Sequence, residues 1–203
     1  MAARPRRLLL LVLLPALLAA APAGPAAVVR RLQAALIESM RAGPRWSPEE
    51  RRAHLAPVVE ATHDLPFIAR FALGRYWRRL DPAQRRRYLR DFAAMSIATY
   101  AERFDAYGGE RFEVTGSERR PNGDVWVRTR LVKGDGGSVS LDYLLRRRDG
   151  RWRIVNVVAE GVSNLALKRA EYAGYVRLHG VEGLLARLEA KLAERGVRPE
   201  GRR

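Results

Sequence analysis

The sequence has no cysteine, three histidines and, among 38 basic residues, only three lysines, Lys133, Lys168 and Lys191. The missing cysteine excludes a disulfide framework and a thiolate metal site. His54, His63 and His179 leave little material for a histidine-rich catalytic metal cluster, while a carboxylate site stays open. Long apolar runs are also missing: the longest, Leu8 to Leu18, is interrupted by Pro15 and spans about eleven residues, short of the roughly 20 that cross a bilayer. What is plentiful is arginine, alanine and leucine. Basic residues outnumber the 22 acidic ones for a formal net charge of +16, and 203 residues with 47% apolar content suffice for one domain with a substantial core.

Arg4, Arg6 and Arg7 precede the apolar run and Ala21-Pro22-Ala23 follows it with a small-x-small pattern. Residues 1–23 therefore read as a bacterial-type export signal, and residues 24–203 as a single soluble domain in the periplasm. The alternative is an uncleaved membrane anchor; anchoring through a lipidated cysteine is excluded. The positive charge invites a nucleic-acid reading, because clustered cations neutralise phosphates, but export argues against it. The preference for arginine over lysine, with the alanine and leucine excess, resembles the coding bias of a GC-rich genome. The runs Arg85-Arg86-Arg87 and Arg146-Arg147-Arg148 are read as plain solvated surface or as a face for anionic headgroups or an acidic partner.

The remaining chain falls into three blocks. The first, residues 26–107, is helical. Val29, Leu32, Leu36 and Met40 recur at helical spacing from Val28 to Met40, and Gly43-Pro44 stops that helix. Ser47-Pro48-Glu49-Glu50 supplies an N-cap, a proline at the first position and acid behind it. A short helix is expected around Pro66 to Gly74. Asp81-Pro82-Ala83-Gln84 then opens a helix running to about Ala106, on which Tyr88, Phe92, Ser96, Tyr100 and Phe104 recur at four-residue steps on one face.

The second block, residues 111–159, changes period. Four segments rich in Val, Ile, Tyr and Trp are separated by Pro121-Asn122-Gly123-Asp124, Gly134-Asp135-Gly136-Gly137 and Asp149-Gly150, which are hairpin turns in succession. A four-stranded antiparallel meander follows. Alternation points Val125, Val127 and Leu131 to one face against Arg128 and Arg130, and Val139, Leu141, Tyr143 and Leu145 against Ser140, Asp142 and Arg146. Val157 and Val158 are both apolar and face opposite ways. The third block, residues 163–195, returns to helix: Ser163 caps a segment ending near Gly180, and Val181, Leu184, Leu185, Leu188 and Leu192 mark a terminal amphipathic helix. The fold class is α+β, a meander covered on one face by N- and C-terminal helices. Periodicity alone favours a filled core beneath the helices over an internal apolar cavity.

Enzyme chemistry finds little support. His63-Asp64 is the dipeptide of metal-dependent phosphohydrolases, yet the further ligands such a site needs are absent by spacing, and Ser163 lacks a glycine-flanked nucleophile elbow. No catalytic residue, metal or cofactor is expected. A noncatalytic interaction module of the NTF2-like type, whose helices and curved sheet give a similar string, is the alternative from another class.

Three stretches carry a resemblance. Asp64-Leu65-Pro66-Phe67-Ile68-Ala69-Arg70-Phe71-Ala72-Leu73-Gly74, the Asp81-Pro82-Ala83-Gln84 helix start, and Ala159-Glu160-Gly161-Val162-Ser163 leading into Arg169-Ala170-Glu171-Tyr172 resemble the MlaC family of periplasmic phospholipid carriers, also called toluene-tolerance auxiliary proteins. Ala98-Thr99-Tyr100-Ala101-Glu102-Arg103-Phe104-Asp105 with Gly109-Glu110-Arg111-Phe112 is closer to the hopanoid-associated HpnM branch. Asn164-Leu165-Ala166-Leu167 departs from the family pattern, which leaves phospholipid and hopanoid both open as cargo.

The resemblance implies a monomeric carrier, not an enzyme, whose cargo tails lie in an apolar cavity between sheet and helices. It would serve an inner-membrane ABC lipid transport system, with an outer-membrane lipoprotein as a further partner, in keeping the outer membrane's lipid asymmetry. On that reading Val127, Leu141, Tyr143 and Val157, with Tyr100 and Phe104 opposite, line or border the lipid site. Arg85, Arg86, Arg87, Arg146, Arg147 and Arg148 are the first candidates for docking. The Glu160-Gly161-Val162-Ser163 junction would border the pocket mouth.

Overall fold

The computed structural model describes residues 23–197. The expected export signal, except its last residue, and the chain from Pro199 onward lie outside them. Four helices come first: α1 (Pro25–Ala42), α2 (Pro48–Thr62), α3 (Leu65–Leu73) and α4 (Pro82–Arg103). Each carries proline in its first turn, where the missing N–H would have no intrahelical partner anyway. Ser47 and Glu50 close a reciprocal capping box on α2 at 3.2 and 2.7 Å, and Asp81 and Gln84 do the same on α4 at 2.8 and 3.0 Å. α1 is longer at both ends than the expected Val28 to Met40, because Pro25 starts it and Gly43, at φ 52°, ends it.

α4 stops at Arg103 and not near Ala106. Its terminal carbonyls are captured from outside: Ser39 Oγ donates to the Phe104 carbonyl at 2.8 Å, and the buried Arg51 guanidinium reaches the carbonyls of Asp105 at 3.4 Å and Gly43 at 2.7 Å. The same two side chains tie the α1–α2 turn to the end of α4.

The sheet has five strands in sequential antiparallel order, β1 (Arg111–Arg119), β2 (Val125–Val132), β3 (Ser138–Arg148), β4 (Arg151–Ala159) and β5 (Val162–Ser163). This corrects the expected four. Glu160 and Gly161 both take positive φ, 48° and 77°, and fold Val162 and Ser163 back against Ala159 and Val158. A strand of two residues is too short to show alternation, so its sequence reads only as a turn and a cap. On the outer face Arg128 pairs with Asp142 at 2.7 Å and Arg130 with Glu113 at 2.8 Å, the wet side that alternation predicts.

The last helix, α5 (Asn164–Glu194), is broken at Gly180, whose φ of 70° and ψ of 177° no helix accommodates. Ser163 caps it: its Oγ accepts from Ala166 N at 3.1 Å and donates to Asn156 Oδ1 at 3.1 Å.

Two cores result. In the first, Val29, Leu32 and Leu36 of α1 and Leu55 and Val59 of α2, with Ile97 and Ala101 of α4 and Phe104 at its C-cap, pack on Val125, Val127, Tyr143, Leu145 and Ile154 of the sheet. The second is all-helical: Ala69, Ala72 and Leu73 of α3 and Tyr88, Phe92 and Met95 of α4 meet Tyr172, Val176, Leu184, Leu185 and Leu188 of α5. The α4 aromatic row is therefore not one face. A four-residue step exceeds a helical turn by about 40°, so the row winds from the second core at Tyr88 to the first at Phe104.

The Ser163 cap gives a direct measurement. Ser163→Ala leaves one α5 amide without its partner and should lower unfolding free energy by about 1 kcal/mol, read from the urea midpoint at unchanged m-value.

Candidate functional site

A pocket of about 340 Å³ lies at the seam between the two cores. Its helical wall is Leu65 and Ile68 of α3 with Phe92, Ser96 and Tyr100 of α4 and Phe104 at the α4 C-cap; its sheet wall is Leu141, Val155, Val157 and Ala159; Leu165 and Leu167 of α5 close a third side. Polar groups gather where Thr99 and Arg103 face Asn164, Lys168 and Glu171. An apolar body with a few convergent polar groups is the usual make-up of a small-ligand site, and the volume falls at the lower end of the roughly 300–1,000 Å³ such sites have.

A β-bulge shapes the sheet wall. Leu144 pairs with Asn156 and Leu145 with Ile154, leaving Val155 as an extra residue on β4. Three consecutive residues, Val155, Asn156 and Val157, then line one pocket, which strict alternation forbids. Asn156 Oδ1 also accepts from Ser163 Oγ and from Leu165 N at 3.3 Å, so the bulge fixes the start of α5 against the sheet.

His63 forms part of the wall. Its Nδ1 lies 3.1 Å from the Val59 carbonyl, which can only accept, so Nδ1 carries the hydrogen; Nε2, 3.0 Å from the Tyr100 hydroxyl, accepts from it. Burial lowers the imidazole pKa to about 4, the charge of Arg153 adds to this, and the Val59 hydrogen bond opposes it. Burial likewise pushes the Tyr100 hydroxyl well above its ordinary range. The neighbouring Asp64 caps α3 at Phe67 N, 3.0 Å, and pairs with Arg148 at 3.0 Å. Both halves of the His63-Asp64 dipeptide are thus engaged in holding α2, α3 and α4 together. Among the described residues no group of three His, Asp or Glu side chains converges to hold a metal ion.

Of the positions expected to line or border the site, Tyr100, Phe104, Leu141 and Val157 meet at this pocket. Val157 pairs with Tyr143, which puts it and not Val158 on the inner face. Val127 and Tyr143 are fully buried in the first core and do not line the pocket. The arginine candidates divide. Arg87 is held by Glu182 at 2.9 Å and Glu189 at 2.6 Å, and Arg85 stacks over Trp77 at 5.3 Å. Arg146 grips Asp124 through two bonds of 3.0 and 2.7 Å and covers Phe67 at 4.9 Å, holding the Asp124 carboxyl below its usual range. Arg148 holds Asp64, and exposed Arg147 reaches the Gly150 carbonyl at 3.4 Å. Arg86 is exposed and makes no ion pair among the described residues.

Comparison with known proteins places this architecture. A family model described as MlaC protein matches residues 30–190. The chain belongs to the MlaC family. It is similar to the intermembrane phospholipid transport system binding protein MlaC of Haemophilus influenzae, with 21% identity over 147 residues, covering 70% of this chain and 67% of the relative. Its fold is similar to that of a phospholipid-binding protein from Ralstonia solanacearum solved in complex with a phospholipid: TM-score 0.76, 19% identity, 86% of this chain and 99% of that one.

In this MlaC family member, sequence reasoning missed the contributions of α3 and α5 to the pocket, Ile68, Leu165 and Lys168 among them. The apolar residues at the start of α5 were legible as Asn164-Leu165-Ala166-Leu167, but nothing local says that this turn folds back over β4.

The buried imidazole sets a pH dependence. His63 stays neutral in the folded chain down to about 4, whereas in the unfolded chain it binds a proton near the ordinary value of about 6.5. The unfolded state gains protons first as pH falls, so stability should decline from about pH 6.5 to pH 4, by on the order of 3 kcal/mol in total. Urea unfolding of His63→Gln at pH 7 and pH 4.5 should show a smaller difference than the parent protein; equal differences would contradict this account.

Proposed function

We propose that the protein is a periplasmic lipid carrier, without catalytic activity, that shelters a lipid tail in the pocket at the core seam and exchanges it with membrane transport complexes. The observation that carries this reading is the pocket itself, an apolar space walled by three elements that do not collapse onto one another. Each methylene exposed to water costs about 0.8 kcal/mol, so a tail of about fifteen carbons needs on the order of 12 kcal/mol of shelter to travel through an aqueous compartment. The role of the Haemophilus relative as a binding protein of an intermembrane phospholipid transport system and the phospholipid bound to the Ralstonia protein support the same reading. Among the described residues no helix is long and apolar enough to cross a membrane.

Phospholipid is the cargo these relatives favour; the likeness of residues 98–112 to the hopanoid-associated HpnM branch supplies hopanoid as the second class. An inner-membrane ABC system is the proposed partner, with an outer-membrane lipoprotein as the second. Docking by steering suits a carrier that must leave again, because charge raises encounter rate without a large apolar interface.

Organic extraction of purified protein followed by mass spectrometry should recover lipid. Leu141→Trp and Leu165→Trp, which fill the pocket from opposite walls, should reduce that lipid to background while the far-UV spectrum stays intact. A parent protein arriving without lipid would favour an interaction module instead.

Docking has its own test. Arg86→Glu should slow lipid transfer between vesicles bearing the membrane partners and weaken its salt dependence without changing the melting temperature. Arg146→Glu places a carboxylate against Asp124 and should lower the melting temperature.

A further inference from the structure

The polar side of the pocket continues into a second cleft of about 270 Å³ between the end of α4 and both halves of α5, and the two share Thr99, Arg103, Lys168 and Glu171. Five cationic side chains line this cleft, Arg103, Lys168, Arg187, Lys191 and Arg195, against two carboxylates, Glu102 and Glu171. The carboxylates are already committed. Arg195 bonds Glu102, while Arg187 at 3.3 Å and Lys191 at 3.6 Å share Glu171. Arg103 and Lys168 form no ion pair among the described residues, and both stand at the boundary between cleft and pocket.

Lys168 is half-buried, with its ammonium 5.6 Å from the centre of the Tyr172 ring. Burial holds it below the ordinary lysine range; Glu171 opposes this, and the charges of Lys191, Arg103 and Arg195 add to it. A desolvated ammonium crowded by like charges and lacking a paired carboxylate is an unfavourable arrangement that a bound anion relieves. The cleft also adjoins the one apolar volume described above, so an anion seated here lies beside anything that volume holds.

We propose that this cleft binds the phosphate of a lipid whose tail occupies the adjoining pocket, and that it selects headgroups of net negative charge. The proposal rests on the carrier reading. A phosphodiester without a counter-charge satisfies Arg103 and Lys168 together. A zwitterionic headgroup brings its own ammonium among five cations, where the two carboxylates are occupied, and like-charge juxtaposition in a specific contact is strongly disfavoured. A neutral polycyclic lipid leaves both cations unpaired.

The test is competition. The protein is incubated with vesicles of equimolar phosphatidylglycerol and phosphatidylethanolamine, re-isolated, extracted and assayed by mass spectrometry, beside Arg103→Gln with Lys168→Gln. The parent protein should enrich phosphatidylglycerol about tenfold, and the lipid that the double variant carries should fall near the vesicle ratio. Lipid at the vesicle ratio in the parent protein, or enrichment retained by the double variant, overturns the proposal and leaves the carrier reading standing. Absence of lipid from both proteins overturns the carrier reading and the headgroup assignment with it. Inorganic phosphate, followed by its effect on the melting temperature, separates the remaining source: a rise confined to the parent protein in that lipid-free case makes the cleft a site for free phosphate, and no rise removes the anion site altogether.

Discussion

Helix α4 has to serve two cores at once, and the rest of the structure is arranged around that demand. Its apolar row advances by about 40° with each four-residue step, so no single partner surface could cover Tyr88 and Phe104 together. The first half is met by α3 and α5, the second by α1, α2 and the sheet. Where one set of partners hands over to the other, around Phe92, Ser96 and Tyr100, neither packs flush, and the pocket occupies that place. The cavity thus follows from helical geometry, without any need for unusually small side chains along its walls.

Polar contacts hold the seam open. The Tyr100 hydroxyl, His63 and the Val59 carbonyl form a continuous hydrogen-bonded line from α4 into α2, and Arg153 donates to the carbonyls of Glu60 at 2.9 Å and Ala61, capping the end of α2 from β4. Asp64 N bonds the Ile154 carbonyl at 2.9 Å, joining the α2–α3 junction to the sheet. Buried polar groups are stable only with partners, so these bonds set the spacing between helices and sheet more sharply than apolar contact, which tolerates sliding.

The helices, the hairpin succession and the inner and outer faces of β2 and β3 were legible because each rests on local signals: a cap, a proline, a period. The pocket was legible in part. Tyr100, Phe104, Leu141 and Val157 were found from period and resemblance, while Val127 and Tyr143, on the same sheet face, go to the packed core. A face does not say which part of itself is covered by α1 and which is left under α5. The bulge at Val155 escaped for a related reason, since Val155, Val157 and Val158 surround a single Asn and no local feature marks the extra residue. The charge runs misled in another way: Arg146 and Arg148 look like free surface in sequence, and their acidic partners, Asp124 and Asp64, lie far from them along the chain.

The break at Gly180 divides α5 between its two tasks. In an unbroken helix, one inserted or deleted residue turns everything beyond it by about 100°, so a change among the pocket-lining residues near Leu165 would rotate Leu184, Leu185 and Leu188 out of the helical core. Gly180 resets the phase. The stretch before it joins the helical core through Tyr172 and Val176, and the stretch after it through Leu184, Leu185 and Leu188, each at its own rotation about the helix axis. A single glycine thereby frees the register of the C-terminal half of α5 from that of the half that walls the pocket.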